Sequence, residues 1–168
     1  MPKQGALTSQ HVDQFREILG SEYVLLDQET LEHFSHDETE NLRFLPEVVV
    51  KPRTPEEISA ILKICNQHLI PVTPRGAGTG LSGGALPHLG GVLLSTERLN
   101  KILEIDERNL QVVTEPGVIT EVLQNAVKAK KLFYPPGEES GKLPRQEGTD
   151  VKDYLVEQCL KYRSTIDR

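Results

Sequence analysis

A run of glycines near the middle of the chain constrains the fold more than any other feature. The segment 74–84 reads Pro-Arg-Gly-Ala-Gly-Thr-Gly-Leu-Ser-Gly-Gly, so five of the nine positions 76–84 lack a side chain. Glycine accepts backbone angles that other residues avoid, so successive amides can turn into one concavity and bind a phosphate. Arg75 is predicted to add a positive charge at the mouth of this loop. A merely flexible turn is the alternative, but it would not need the hydrophobic strand that precedes the glycines.

Two familiar glycine motifs can be tested against the residues around this loop. A P-loop ends in Gly-Lys-Ser/Thr, and no lysine lies between Pro74 and Asn100. The dinucleotide fingerprint G-x-G-x-x-G does occur at 78–83, but it requires a helix that begins in the loop. The segment 84–91 instead carries a proline and three glycines, which disfavour a helix. A Rossmann-type NAD protein is therefore disfavoured, and backbone amides alone are predicted to hold the phosphates.

Several ordered segments together resemble one known family. The segment 75–85 resembles the pyrophosphate loop of the FAD-binding domain in the vanillyl-alcohol oxidase superfamily, also called the PCMH-type fold. Further segments are similar to the branch that contains glycolate oxidase and D-lactate dehydrogenase, and they follow in register: 35–40, 45–57, 97–102, 113–118 and 132–136. The resemblance covers about residues 21–136, and several motifs in order are more specific than one.

The resemblance implies a cofactor, a reaction and a set of binding residues. It implies oxidation of a 2-hydroxy acid by hydride transfer to FAD. The residues that it implies for cofactor binding are Arg75, Gly76, Ala77, Gly78, Thr79, Gly80, Ser82 and Gly83 in the loop, with Pro116, Gly117 and Val118 further along. Some relatives link the flavin covalently through a histidine where this chain has Thr79, so the FAD is expected to be noncovalent. No catalytic residue and no metal ligand is assigned.

The residue pattern by itself predicts an α+β fold, a small mixed sheet with flanking helices. Predicted helices cover 9–19, 27–33, 54–69 and a segment from Val118 to Lys131, and predicted strands cover 47–51, 70–73 and 92–96, with a hairpin of 101–106 and 110–115. Thr54 is predicted to cap its helix, with Pro55 in the first turn and Glu57 closing a capping box. This βα unit would deliver the glycine loop to the carboxyl edge of the sheet.

The chain divides into four segments, of which the last two depart from the resemblance. They are a helical lead-in (1–45), an incomplete PCMH-type lobe (46–136), a polar linker (137–148) and an unrecognised tail (149–168) in which Thr149 to Tyr162 fits one amphipathic helix. The second glycine-rich stretch and the substrate domain of the family are not seen, so a truncated flavin-binding lobe is predicted. A non-catalytic binding or assembly fragment without flavin is the alternative.

Composition narrows the class of partner. A net charge of −6 and a pI near 5.4, without a basic run, argue against nucleic acid. No apolar stretch approaches a membrane span and no signal peptide is recognised, so a cytoplasmic protein is expected. The expected partners are a small 2-hydroxy acid in the complete enzyme and, for an incomplete lobe, the missing domain or other subunits. His33, His36 and Asp37 are expected to be surface polar residues, and Cys65 a core thiol.

Overall fold

The structure, a computed structural model, describes residues 5–134. The helices are α1 Ser9–Leu19, α2 Gln28–His33, α3 Pro55–His68 and α4 Thr120–Ala129, with a 3-10 turn at Ser21–Tyr23. The strands are β1 Val24–Leu25, β2 Val48–Val50, β3 Val72–Arg75, β4 Val92–Ser95, β5 Ile102–Asp106 and β6 Gln111–Thr114. The predicted linker and tail helix lie outside the described residues.

A four-stranded mixed sheet forms the centre of the fold, with the strand order β1-β2-β4-β3. Strands β2, β4 and β3 are parallel, and β1 is antiparallel to β2. All three valines of β2 are fully buried, as expected for a parallel strand that is covered on both faces. Because the three parallel strands point the same way, their carboxyl ends lie at one edge, where the glycine loop begins.

Helices cover both faces of this sheet. Val48 and Val50 face α1 and α3, where Phe15 and Ile61 are fully buried. Val49 points to the other face and packs with Leu93 and Phe34, the residue that follows α2. The alternation of neighbouring side chains across the strand therefore places one helix pair on one face and the short α2 on the other.

Helix α3 begins almost as its sequence predicts. The Thr54 hydroxyl accepts a hydrogen bond from the Glu57 amide at 3.3 Å, and Pro55 occupies the first turn. The capping box does not close on Thr54, because the Glu57 carboxylate accepts from the Arg53 amide at 2.6 Å, one residue earlier. Strand β3 begins at Val72, two residues later than predicted, because Leu69 takes a left-handed conformation and Ile70 bonds back to the helix end at Cys65.

The β5–β6 hairpin and α4 form a second, smaller core. Leu123 and Val127 of α4 pack on Ile105 and Val112 of the hairpin. No helix within residues 5–134 is long and apolar enough to cross a membrane.

Candidate functional site

The glycine loop leaves the carboxyl end of β3 and is anchored to the end of β4. Arg75, the last residue of β3, pairs with Ser95, which is fully buried. The carbonyl of Arg75 accepts a hydrogen bond from the Thr96 amide at 2.9 Å. The predicted βα unit therefore delivers the loop to the sheet edge at which α/β proteins commonly bind ligands.

A continuous row of backbone amides in this loop has no hydrogen-bond partner in the part of the chain that the structure describes. Within residues 5–134, none of the amides of residues 76–82 donates a hydrogen bond. The next amide, that of Gly83, donates to the Thr39 hydroxyl at 2.8 Å. Seven consecutive donors at a sheet edge are the chemistry that binds an anion through the backbone.

Four of the five glycines of the loop fall into two groups. Gly78 and Gly83 have φ values of +74° and +71°, so the backbone itself favours glycine there. Gly80 and Gly84 do not lie in that region. A Cβ built on Gly80 meets only Asp37 Oδ2, at 3.8 Å, and one built on Gly84 meets nothing within 4 Å. The packing within residues 5–134 therefore does not require glycine at either position.

Arg75 is buried under the loop and is not exposed at its mouth. The predicted position of its charge is therefore wrong. Its side chain is 7% exposed, and its Nη1 donates to the His36 carbonyl at 2.8 Å. The guanidinium also lies 5.4 Å from the centre of the Phe34 ring, and it occupies the space that a Cβ at Gly78 would need. Burial lowers the pKa of Arg75, and the charge of Asp37 opposes that shift. Arg75 thus shapes the loop from below and adds positive charge under it.

Two residues of the site were missed by the sequence reasoning. Asp37, expected to be a surface polar residue, is partly buried against the loop, and its Oδ1 accepts from the Thr39 amide at 2.9 Å. Its Oδ2 is buried and has no partner within residues 5–134. Thr39 contacts the loop at both Gly80 and Gly83. These contacts join segments more than 40 residues apart, so no local pattern signals them.

The second predicted binding segment meets the same sheet edge. The Gly117 amide donates to the Leu99 carbonyl at 2.7 Å, and a Cβ on Gly117 would clash with the Thr96 carbonyl oxygen. Since the Thr96 amide is hydrogen-bonded to the Arg75 carbonyl, the segment around Gly117 packs beside the base of the loop. Val118 is buried in the core of the hairpin and α4. The backbone around Gly117 therefore reaches the edge, whereas the Val118 side chain faces away from solvent.

Other reactive side chains in the described part of the chain fit structural roles. No group of three metal-ligating side chains occurs within residues 5–134. Burial raises the pKa of the Cys65 thiol to about 11, which keeps it protonated in the core of α3. The candidate site is therefore an amide-lined loop that fits a phosphate-bearing ligand.

Comparisons of the sequence with known proteins agree with this geometry. Residues 46–142 match the FAD binding domain family. The chain is 43% identical over 134 residues to the glycolate oxidase subunit GlcD of Bacillus subtilis, a match that covers 80% of this chain and 28% of that protein. It is 40% identical over 131 residues to the D-lactate dehydrogenase of Anaerostipes hadrus, covering 77% of this chain and 27% of that protein. The chain thus spans less than a third of the length of these relatives.

Solved structures share the fold. The structure of p-cresol methylhydroxylase with bound substrate superposes with a TM-score of 0.67 at 29% identity, covering 76% of this chain and 26% of that one. An alkyldihydroxyacetonephosphate synthase reaches the same TM-score at 15% identity, which shows the fold alone. The expected PCMH-type fold, with its small mixed sheet and flanking helices, is confirmed.

Proposed function

The chain belongs to the FAD binding domain family, and from this membership we propose that it forms the cofactor-binding part of an oxidoreductase that oxidises a 2-hydroxy acid. FAD is the cofactor of that family. Similarity to glycolate oxidase subunits and to a D-lactate dehydrogenase, at 36–43% identity, supports this substrate class. The lobe of residues 46–136 is proposed to carry the binding residues.

The observation that carries this proposal is the row of amides at residues 76–82, none of which donates a hydrogen bond to another described residue. We place the FAD pyrophosphate against these amides, where the side-chain-free Gly80 leaves room for close approach. The loop residues proposed to hold it are Gly76, Ala77, Gly78, Thr79, Gly80, Ser82 and Gly83, with Arg75 adding charge from below. The backbone of Pro116, Gly117 and Val118 would line the cofactor further along the same edge.

This placement indicates what the flavin and the residues of this chain each contribute to the reaction. When bound, the flavin supplies the acceptor for the hydride that leaves the α-carbon of the substrate. The described residues of this chain bind and orient the cofactor. Thr79 has no nucleophilic nitrogen to offer the flavin, which supports noncovalent binding. We assign no catalytic residue among residues 5–134.

A non-catalytic binding or assembly fragment is the second candidate. The observation that favours it is the exposure of Ala77, Thr79 and Ser82 in the glycine loop, which would leave bound phosphates in contact with water. Such a fragment would keep the fold without holding flavin. Measuring FAD binding therefore separates the two candidates.

The test replaces Gly80 by alanine in the purified 168-residue chain and follows flavin fluorescence during FAD titration. A methyl group at Gly80 meets no atom of residues 5–134 closer than 3.8 Å, so folding stability should stay within about 0.5 kcal/mol of wild type. The same methyl group would occupy the space of the phosphates, so FAD affinity should fall at least tenfold, or about 1.4 kcal/mol.

The matched control is Gly84→Ala. Gly84 has open space around it among the described residues and lies outside the amide row 76–82, so this change should leave FAD affinity unchanged. Equal FAD affinity of Gly80→Ala and wild type would contradict the proposed placement of the pyrophosphate against this loop. No binding by the wild-type chain would favour the non-catalytic fragment.

A further inference from the structure

We propose that Thr39 is a positioning residue for the glycine loop: its hydroxyl bridges the two ends of the turn 80–83 and so fixes the direction of the amides that bind the cofactor. The structural part of this inference concerns the loop itself. Its consequence for cofactor affinity rests on the proposed function. Thr39 lies outside both segments to which binding was assigned above.

The bridge consists of two hydrogen bonds to one atom. Thr39 Oγ1 accepts from the Gly83 amide at 2.8 Å and lies 3.5 Å from the Gly80 carbonyl oxygen, to which the hydroxyl donates. A hydroxyl has one donor and two acceptor sites, so one threonine can serve both partners. The loop contacts are thereby made by a residue 41 and 44 positions away in the sequence.

The two partners of Thr39 are the groups that would close a β-turn on their own. In a four-residue turn, the carbonyl of the first residue commonly accepts from the amide of the fourth. Here Gly80 and Gly83 are the first and fourth residues, and no direct bond between them occurs within the described residues. The Thr39 hydroxyl stands between them, so the turn is held open. The amides of Leu81 and Ser82, inside the turn, stay without protein partners among residues 5–134.

Thr39 is itself held in place by a fixed platform. Asp37 Oδ1 accepts from the Thr39 amide at 2.9 Å, and the neighbouring His36 carbonyl accepts from Arg75 Nη1 at 2.8 Å. The fully buried Ser35 donates its hydroxyl to the Glu32 carbonyl at 2.7 Å. The segment 35–39 is thus hydrogen-bonded to α2 at one end and to the base of the loop at the other. These contacts hold the Thr39 hydroxyl in one position relative to the loop.

Removing the hydroxyl without changing the shape of the side chain tests the bridge. In Thr39→Val, the exchange rate of the Gly83 amide should rise roughly five- to tenfold, the equivalent of one lost hydrogen bond. In Thr39→Ser, which keeps the hydroxyl, the rate should stay within about twofold of wild type. Nuclear magnetic resonance on the labelled 168-residue chain measures this rate residue by residue.

Thr73→Val is the matched control. Thr73 lies in β3 before the loop and makes no side-chain hydrogen bond within residues 5–134, so the same substitution there should leave Gly83 unchanged. FAD affinity, measured in the same variants, should fall roughly five- to tenfold in Thr39→Val and recover in Thr39→Ser.

The possible outcomes separate the bridge from the proposed function. An unchanged Gly83 rate in Thr39→Val overturns the bridge, and a raised rate with unchanged FAD affinity overturns the positioning role. If Thr39→Val does not fold, amide exchange in the wild-type chain tests the bridge instead. There the Gly83 amide should exchange more slowly than the Gly84 amide, which donates no hydrogen bond within residues 5–134. Equal rates there overturn the bridge. Absence of FAD binding by wild type refutes the proposed function and leaves the bridge to be judged by exchange alone.

Discussion

At the residue scale, Gly78 and Gly80 have different roles although they are two positions apart. Glycine at Gly78 is needed for folding, whereas glycine at Gly80 is proposed to be needed for cofactor binding. Gly78 has φ +74°, and a Cβ there would clash with the guanidinium of Arg75. Gly78→Ala should therefore lower the free energy of unfolding by roughly 1–3 kcal/mol, because alanine resists this conformation and the buried guanidinium must move. Urea denaturation measures the change, with Gly84→Ala as the neutral control. A Gly78→Ala chain as stable as Gly84→Ala would contradict the packing of Arg75 under the loop.

Residue-level expectations succeeded where they depended on neighbours in the sequence. The glycine run predicted an amide-lined loop because glycine content is a local property, and the structure has that loop. The place of Arg75 was wrong because its partner, the His36 carbonyl, lies 39 residues away. Asp37 and Thr39 escaped notice for the same reason. The site thus combines a loop that can be predicted from the sequence with a platform that only tertiary packing reveals.

At the element scale, the start of α1 makes stability depend on pH. Thr8 and His11 form a capping box in which the Thr8 amide donates to His11 Nδ1 at 3.2 Å. His11 is 7% exposed, and burial, followed by the charge of His68, lowers its pKa below the ordinary 6.5. Only a neutral Nδ1 accepts the bond. The unfolded chain therefore binds the proton more readily than the folded chain does, and stability should fall as pH drops below about 6.5.

His11→Gln tests this dependence, because glutamine can still accept in a capping box but does not titrate. Urea denaturation at pH 7.5 and 5.5 should show a loss of stability for wild type and a smaller loss for His11→Gln. An identical loss in both proteins would show that His11 is not the titrating group.

Most elements were predictable because their signals are local. Helices α1 and α3 have caps and apolar stripes of helical period, and Ser9–Leu19 was predicted to the residue. Strand β1 was missed, because Val24–Leu25 is too short for a pattern and exists through pairing with β2. The later start of β3 was missed for a similar reason. Leu69 takes a left-handed conformation, which the sequence would signal only if a glycine stood there.

At the scale of the whole molecule, the glycine loop is open to water as far as residues 5–134 show. Ala77, Thr79, Ser82 and Gly84 are exposed, so phosphates bound there would stay solvated and screened by salt. Small-ligand sites normally bury most of their ligand. The relatives that it matches are more than three times as long as the matched segment, which leaves room in them for residues that enclose the cofactor and bind the substrate.

The isolated 168-residue chain should consequently bind FAD weakly and oxidise neither glycolate nor D-lactate. FAD titration gives the affinity, and reduction of an artificial electron acceptor in the presence of each acid gives the activity. Gly80→Ala serves as the binding control, because weak binding through the loop must disappear in that variant whereas adventitious flavin would remain. Tight binding with turnover by the isolated chain would show that the described lobe and the tail already complete the site, and would overturn the argument from solvent exposure.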